Sequence, residues 1–327
     1  MKAVCIEQVD GQAELVMREL PRPVPRDGEL LVRVHAAGVN FADLYRAARH
    51  FGSGGDTSAA IAGLEMAGEV VGTGDGVRGF AVGDRVMGMA AGAYAEYCCI
   101  HHRLAMPVPE GMSWTDAAAT SATFCTAHDA LVTNGELAEG ETVLVQAASS
   151  GVGIAAIQVA KLLGAGRVIG TSTSAHKLER LAALGLEHGI DSKATDFAEA
   201  VLSLTGGHGA DVVIENIGGD TLPGDIRCAA VRARIVNVGR LGRWTGELDL
   251  DEHSRKRIRL IGVSFRSRSV DEHAELVKKA GDFLLPAFAQ GLLRPVVDTV
   301  FGLDDAAQAQ AHMKAGKHFG KLVLRVD

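Results

Sequence analysis

Between Thr142 and Lys161 the chain passes from one hydrophobic pattern to another without a gap. Thr142-Val143-Leu144-Val145 is a β-branched apolar run, suited to a strand buried on both faces. Six small or polar residues follow, Gln146-Ala147-Ala148-Ser149-Ser150-Gly151. From Val152 to Lys161 the apolar positions take helical spacing. Strand patterns recur at Arg167–Thr171, Ala210–Glu215, Arg234–Gly239 and Leu260–Phe265, with helical patterns near 196–204 and 221–230. This βα repetition predicts a parallel, doubly wound sheet. The first third differs. Strand patterns at Leu30–Ala36, Glu69–Val71, Arg85–Met87 and Tyr94–Cys99 are separated by glycine and aspartate turns, which predicts a compact, partly closed β domain. A long helical pattern from Val270 to Gln290, another near 304–315 and a strand at 321–326 predict a return to that first domain.

Strand, tight turn and helix, in that order, are what a Rossmann dinucleotide site requires. The helix N-terminus presents unpaired N–H groups and the positive end of a dipole, where a pyrophosphate can sit. Against G-x-G-x-x-G the chain reads Ala148-x-Ser150-x-x-Gly153. Only the last position, where helix and strand pack closely, is glycine. Gly151 can restore backbone freedom beside Ser150, whose hydroxyl can meet a phosphate. An NAD site places Asp or Glu at the end of the next strand, to bind the ribose 2′-OH. This chain has Ser172 there, followed by Thr173, Ser174, Lys177 and Arg180. A carboxylate would repel a 2′-phosphate, whereas hydroxyls and a lysine hold it, so the pattern favours NADPH. The alternative for Lys177 and Arg180 is a solvated helix face. Asn216 and Gly239 follow strand C-termini, where ligands approach open α/β sheets.

Composition narrows the classes. The chain has 327 residues, 47% hydrophobic and 22% charged, with a net charge of −7. Two domains fit that length, and the acidic balance disfavours nucleic acid despite the basic run Arg255-Lys256-Arg257-Ile258-Arg259. No apolar run is long enough to span a bilayer. The five cysteines form no C-x-x-C pair. With a strand-like start at Met1-Lys2-Ala3-Val4 and no signal peptide, a reducing, cytoplasmic setting is expected.

Several motifs, taken in order, resemble the medium-chain dehydrogenase/reductase superfamily. They are Ala37-Gly38-Val39-Asn40-Phe41-Ala42-Asp43-Leu44-Tyr45, Gly63-Leu64-Glu65-Met66-Ala67-Gly68, Gly83-Asp84-Arg85-Val86, Ala147 to Gly153, and Gly316 to Leu324. The match to the zinc-free quinone oxidoreductase branch, the zeta-crystallin-like proteins, is closer and spans essentially the whole chain. The resemblance implies an α/β fold: a Rossmann doubly wound parallel sheet plus a discontinuous, GroES-like β-rich domain. Residues 1–121 would begin the substrate domain, 122–265 would form the NADPH-binding domain, and 266–327 would return. It implies a homodimer with NADPH contacts at Thr126, Ala148, Ser149, Ser150, Gly151, Val152, Gly153, Ser172, Lys177, Ser192, Asn216, Gly239, Phe265 and Lys321. For Thr126 the alternative is a helix residue bonded to its own backbone. The zinc-ligand positions of the alcohol dehydrogenases fall at Asn40, Leu64 and Ala122, and none of these residues is a normal zinc ligand. No metal is therefore expected. Glu65 reads as structural. His101 and His102 are expected to point apart on a strand.

Without a metal to polarise a carbonyl, alcohol oxidation loses its electrophile. A quinone is already electron-poor, and its reduced oxygens can take protons from solvent. The chain is therefore expected to reduce quinones with NADPH, with Asn40 and Tyr45 beside the acceptor. Leu64, Phe124, Leu241 and Phe265 are candidate apolar walls. Asn40 is also positioned to cap the helix that follows it. One rival is reduction of an activated alkene such as an enone or enoyl thioester, which needs a proton donor at carbon. The family's tyrosine for that step falls at Phe51, and Tyr45 is near. The other rival is an NADPH-binding protein without turnover.

Overall fold

The computed structural model describes residues 1–10, 12–44 and 60–326. Its strands are β1 (Lys2–Val9), β2 (Gln12–Glu19), β3 (Glu29–Val39), β4 (Ala60–Ile61), β5 (Met66–Thr73), β6 (Arg85–Gly88), β7 (Tyr97–His101) and β8 (Ala105–Pro107). They continue with β9 (Thr142–Val145), β10 (Arg167–Ser172), β11 (His188–Asp191), β12 (Ala210–Glu215), β13 (Ala229–Asn237), β14 (Arg259–Gly262), β15 (Val297–Gly302) and β16 (Lys321–Arg325). The chain divides into two compact units, Met1–Ala122 with Val270–Asp327, and Thr123–Ser269.

The second unit carries six parallel strands in the order β11-β10-β9-β12-β13-β14. Counted within the unit this is 3-2-1-4-5-6, the Rossmann order, and the order reverses between β9 and β12. All four residues of β9 are buried. Each fully buried Val or Leu contributes roughly 1.5–3 kcal/mol, so this run is driven to the sheet centre. Gln146 follows it directly, at the crevice where ligands of such sheets bind.

The first unit is built on a seven-stranded sheet, β15-β16-β3-β5-β6-β8, in which β7 also pairs with β3. A three-stranded sheet, β2-β1-β4, accompanies it. The C-terminal strand β16 lies antiparallel to β3, with Leu322 opposite Val39. That pairing makes the β-rich domain discontinuous and brings Lys321 beside Asn40. Among the described residues no helix is long and apolar enough to cross a membrane.

Three local expectations are corrected. Tyr94 precedes β7 instead of starting it: its N–H and carbonyl bond to Ala62 and Val4, which seats its ring in the core. The strand expected to run to Phe265 stops at Gly262, and residues 263–269 leave the sheet. After Val263 donates to the Asn237 carbonyl, Ser264 Oγ captures the Arg266 N–H and the chain turns. His101 and His102 do not diverge. The strand ends between them, a 3-10 turn begins, and their rings stack with centroids 4.7 Å apart.

Candidate active site

The first unit gathers a buried polar cluster around Glu65, which is fully buried. One carboxylate oxygen accepts the Ala122 N–H at 2.6 Å. The other accepts Lys321 Nζ at 2.8 Å and Asn40 Nδ2 at 3.1 Å. Lys321 gives its remaining ammonium protons to the Val39 carbonyl, 3.0 Å, and Asn40 Oδ1, 2.8 Å. A Cβ at Gly38 would overlap the Glu65 carboxylate and the Ala118 carbonyl, which explains that glycine. The Asn40 side chain is therefore held inward and does not cap the following turn. Asp43 does so instead, three positions on, by accepting the Asn40 N–H at 2.9 Å.

Asn40, Leu64 and Ala122 offer no thiolate, imidazole or carboxylate, and the ammonium of Lys321 already neutralises Glu65. They do not fit a zinc ion. Tyr45, expected beside the acceptor, lies outside the described residues, as does Phe51.

Tyr94 donates its phenol to Asp43 Oδ2 at 2.9 Å. Asp43 is buried, and that burial pushes its carboxyl up to about 6, with the Glu65 charge adding. The bonds from the Asn40 N–H and Tyr94, and the Lys321 charge, act against this rise. The folded value lies above the unfolded one, about 3.9, so between the two the native state holds a proton that the unfolded chain has lost. The contribution to stability is full below about pH 4 and is lost as pH rises through about 6, a change of about 3 kcal/mol. Asp43→Asn should flatten this slope, so the variant gains on wild type as pH rises. Urea unfolding of both proteins between about pH 4 and 7 measures it. A constant difference across that range contradicts the assignment.

In the second unit the turn after β9 is built differently from the expected glycine pattern. Ala147, not Gly151, takes the left-handed conformation, with φ 49°. Its neighbours hold it: Gln146 N–H donates to Ile214, Ala148 N–H to Thr171, and Asn216 Nδ2 to the Gln146 carbonyl. Gly151 simply opens the helix Gly151–Leu162. Ser150 caps that helix, its Oγ accepting the Gly153 N–H at 3.1 Å, and no acid sits in the first turn. At Gly153 a Cβ would lie 2.5 Å from the Ala147 carbonyl and 2.7 Å from that of Ala148, so only glycine permits this helix–strand approach. The first-turn N–H groups beyond the cap face no carbonyls of their own helix. With the dipole they can face an anion at Gly151 and Val152, whereas the N–H groups of Ala148, Ser150 and Gly153 go to the Thr171 carbonyl, the Ala147 carbonyl and Ser150 Oγ.

At the end of β10, Ser172 Oγ accepts the Ser174 N–H at 3.3 Å and lies 3.4 Å from Ser149 Oγ. Ser192 directs both its N–H and its hydroxyl to the Ser172 carbonyl, at 3.0 and 3.3 Å. The helix Ala175–Ala182 begins beside them, with no side-chain cap bond and no acid in its first turn, where Lys177 lies. Hydroxyls and a helix N-terminus therefore meet around Ser172, and Lys177 lies in the first turn of that helix. Gly239 has another role: a Cβ there would press on the Asn216 backbone. Thr126 is buried on the helix Ser121–His128, Phe265 is half-buried in the 263–269 turn, and Phe124 is a core residue.

The structure also shows polar groups that no motif flags. Thr171 Oγ1 donates to Gln146 Oε1, and Gln146 Nε2 to Asp225 Oδ1 at 2.7 Å. Burial, then the Glu215 charge, holds the Asp225 carboxyl well above the usual range. Glu215 accepts the N–H groups of Ile217 and Gly218, the Thr221 hydroxyl and Asn237 Nδ2. These groups brace the turns on which that anion site stands.

Two family models match the chain. One, the alcohol dehydrogenase GroES-like domain, covers residues 26–110, and the other, described as zinc-binding dehydrogenase, covers 151–281. Quinone oxidoreductase-like protein 2 homolog of Nematostella vectensis is 30% identical, over 90% of this chain and 81% of that protein. A phenolphthiocerol/phthiocerol polyketide synthase of Mycobacterium tuberculosis is 32% identical over 98% of this chain, which spans 14% of that protein. Among solved structures, mycobacterial Rv1454c complexed with NADPH superposes with a TM-score of 0.90, at 29% identity, covering 99% of this chain and 100% of that one. The CurK enoyl reductase gives 0.86 at 28% identity, covering 100% and 99%.

Proposed function

The chain belongs to the medium-chain dehydrogenase/reductase superfamily, in its quinone oxidoreductase-like branch, and from that premise we propose that it is a zinc-independent NADPH:quinone reductase. The observation that carries the reading is the closed Glu65–Lys321–Asn40 cluster. Asn40 stands at one position where zinc relatives place a ligand, Glu65 bonds the backbone of a second, Ala122, and the charges of Glu65 and Lys321 are already balanced. A substrate that needs a metal electrophile has no partner there, whereas a quinone needs none.

Bound NADPH supplies a hydride from its nicotinamide ring. The residues of this chain hold and orient the cofactor. The first turn of Gly151–Leu162 takes the pyrophosphate on its N–H groups, and Ser150 adds a hydroxyl. Ser172, Ser174 and Lys177 take the 2′-phosphate, supported by Ser149 and Ser192. Thr126 and Phe265 meet the nicotinamide. Tyr45 is the residue that the family resemblance would put to use on the acceptor. A homodimer is part of this proposal, and light scattering that gives a single-chain mass at micromolar concentration would count against it.

A second reading is favoured by the likeness to CurK enoyl reductase and to the polyketide synthases: reduction of an enoyl thioester. The two readings differ in what they ask of Tyr45. A quinone needs only a hydrogen bond to its oxygen, so Tyr45→Phe should cost about 10-fold or less, about 1.4 kcal/mol. An alkene needs an acid to protonate carbon, and loss of that acid should cost ~100-fold or more. The experiment is kcat/KM of wild type and Tyr45→Phe with NADPH on 1,4-benzoquinone, an enone and an enoyl thioester, with metal content measured on the same sample. Fast quinone reduction, a small loss and no stoichiometric zinc support the proposal. A wild type that prefers the thioester and collapses without the phenol refutes it in favour of the enoyl reductase. A wild type that turns over no acceptor favours the non-catalytic NADPH-binding protein.

A further inference from the structure

The helix Ser121–His128 continues as a π-helical stretch, Asp129–Asn134. Wide turns of this kind are often found at functional sites. Asp129 is the first residue of the stretch and is buried, with its side chain 2% exposed. Its carbonyl accepts Asn134 Nδ2 at 2.8 Å. Its carboxylate accepts Arg268 Nη2 at 2.6 Å. Asp129 stands three positions after Thr126, so the two side chains share one helix face.

Arg268 belongs to the 263–269 turn, which has left the sheet. Its Nε donates to the Ser264 carbonyl at 3.2 Å, its N–H bonds to the Phe265 carbonyl at 3.3 Å, and its guanidinium lies 5.2 Å from the Phe265 ring centroid. One guanidinium thus grips the turn by a carbonyl and a ring and anchors it to a buried carboxylate. An arginine suits this role because its planar fork can bond and stack together. The Ser264 to Arg266 bond, at 3.3 Å, lies within the turn and ties it to nothing outside.

We propose that Asp129 and Arg268 are a positioning pair, which holds Phe265 at the Thr126 face of the helix as a wall for the nicotinamide. The inference rests on the NADPH reading above. Neither residue touches the cofactor. They set where Phe265 stands.

The test separates the two halves of the cofactor. NADPH carries the nicotinamide, and 2′,5′-ADP carries the 2′-phosphate end without it. Affinities for both are measured by fluorescence titration and calorimetry on wild type, Arg268→Lys, Asp129→Asn and Phe265→Ala, with the nicotinamide emission spectrum of bound NADPH as a second readout. Each variant should bind NADPH about 10-fold more weakly and lose the wild-type emission shift, while 2′,5′-ADP affinity stays within about 2-fold. Phe265→Ala leaves the ion pair intact, so it reports even if an ion-pair variant fails to fold. Equal loss of both ligands in a folded variant, or unchanged NADPH affinity in Phe265→Ala, overturns the proposal. A wild type that binds 2′,5′-ADP but gains nothing from the nicotinamide also overturns it while leaving the 2′-phosphate site standing. A wild type that binds neither ligand overturns the NADPH reading itself, and this inference with it.

Discussion

Lys321→Met is expected to lower the stability of the first unit by about 3–5 kcal/mol. The lysine is buried, and all three of its ammonium protons are engaged, by Val39, Asn40 and Glu65. Methionine fills a similar volume but leaves the Glu65 carboxylate fully buried without its cation, held among the described residues by Asn40 Nδ2 and the Ala122 N–H. The penalty comes mainly from that stranded charge and less from the pair's intrinsic strength. The double substitution Glu65→Gln with Lys321→Met should therefore recover at least half of the loss, because it removes both charges together. Of the two tryptophans, Trp114 lies in the first unit, stacked on His35 with Arg85 against its ring. In a Trp244→Phe background its emission during urea unfolding reports on that unit alone. A single-substitution loss under about 1 kcal/mol, or a double loss equal to the sum of the two singles, contradicts the account.

This cluster also marks where the sequence was legible. Apolar runs announced β9, β10 and β12, because strands buried on both faces must be continuously apolar. β11 gave no such signal, since His188-Gly189-Ile190-Asp191 has one large apolar residue and is recruited by its pairing with β10. β2 escaped for the opposite reason: its residues are largely exposed and answer to the register with β1. The Rossmann turn was legible through Gly153, whose role is steric and local. The left-handed Ala147 was not, because the bonds that hold it come from residues 214, 171 and 216. Asp43 could have been found from its spacing three positions after Asn40, a capping-box signature. The inward turn of Asn40 could not, because it depends on Lys321, which is 281 residues away and adjacent only through the β16–β3 pairing. Asp129 and Arg268 are likewise 139 residues apart, and nothing local to either names the other.

Ser172→Asp should reverse the cofactor preference, a shift of about two to three orders of magnitude in the NADPH/NADH affinity ratio. Ser172 ends β10, at the position where NAD sites carry an acid, and its Oγ accepts the Ser174 N–H beside the N-terminus of Ala175–Ala182. Aspartate can keep that bond but adds a full negative charge. A 2′-phosphate carries about −1.5 to −2. At ~5 Å each pair of unit charges repels by about 1 kcal/mol in a water-like medium and about 3 kcal/mol at an effective dielectric constant of 20. NADPH should thus bind ~100-fold more weakly or worse. NADH has no phosphate there, and its ribose hydroxyls can donate to the new carboxylate, so its affinity should hold or rise up to ~10-fold. Size is the competing explanation, because Ser172 is buried beside Ser149 and Ser192 and any larger residue must displace something. Ser172→Asn has nearly the same shape without the charge and controls for it. Dissociation constants for both cofactors are measured on the three proteins at two salt concentrations, since the charge effect must shrink with screening. The prediction holds if only the aspartate variant inverts the ratio and the inversion weakens with salt. It fails if asparagine does the same, if the loss ignores salt, or if the wild type binds NADH as tightly as NADPH. The last result would mean that the hydroxyls and Lys177 around Ser172 do not hold a phosphate at all.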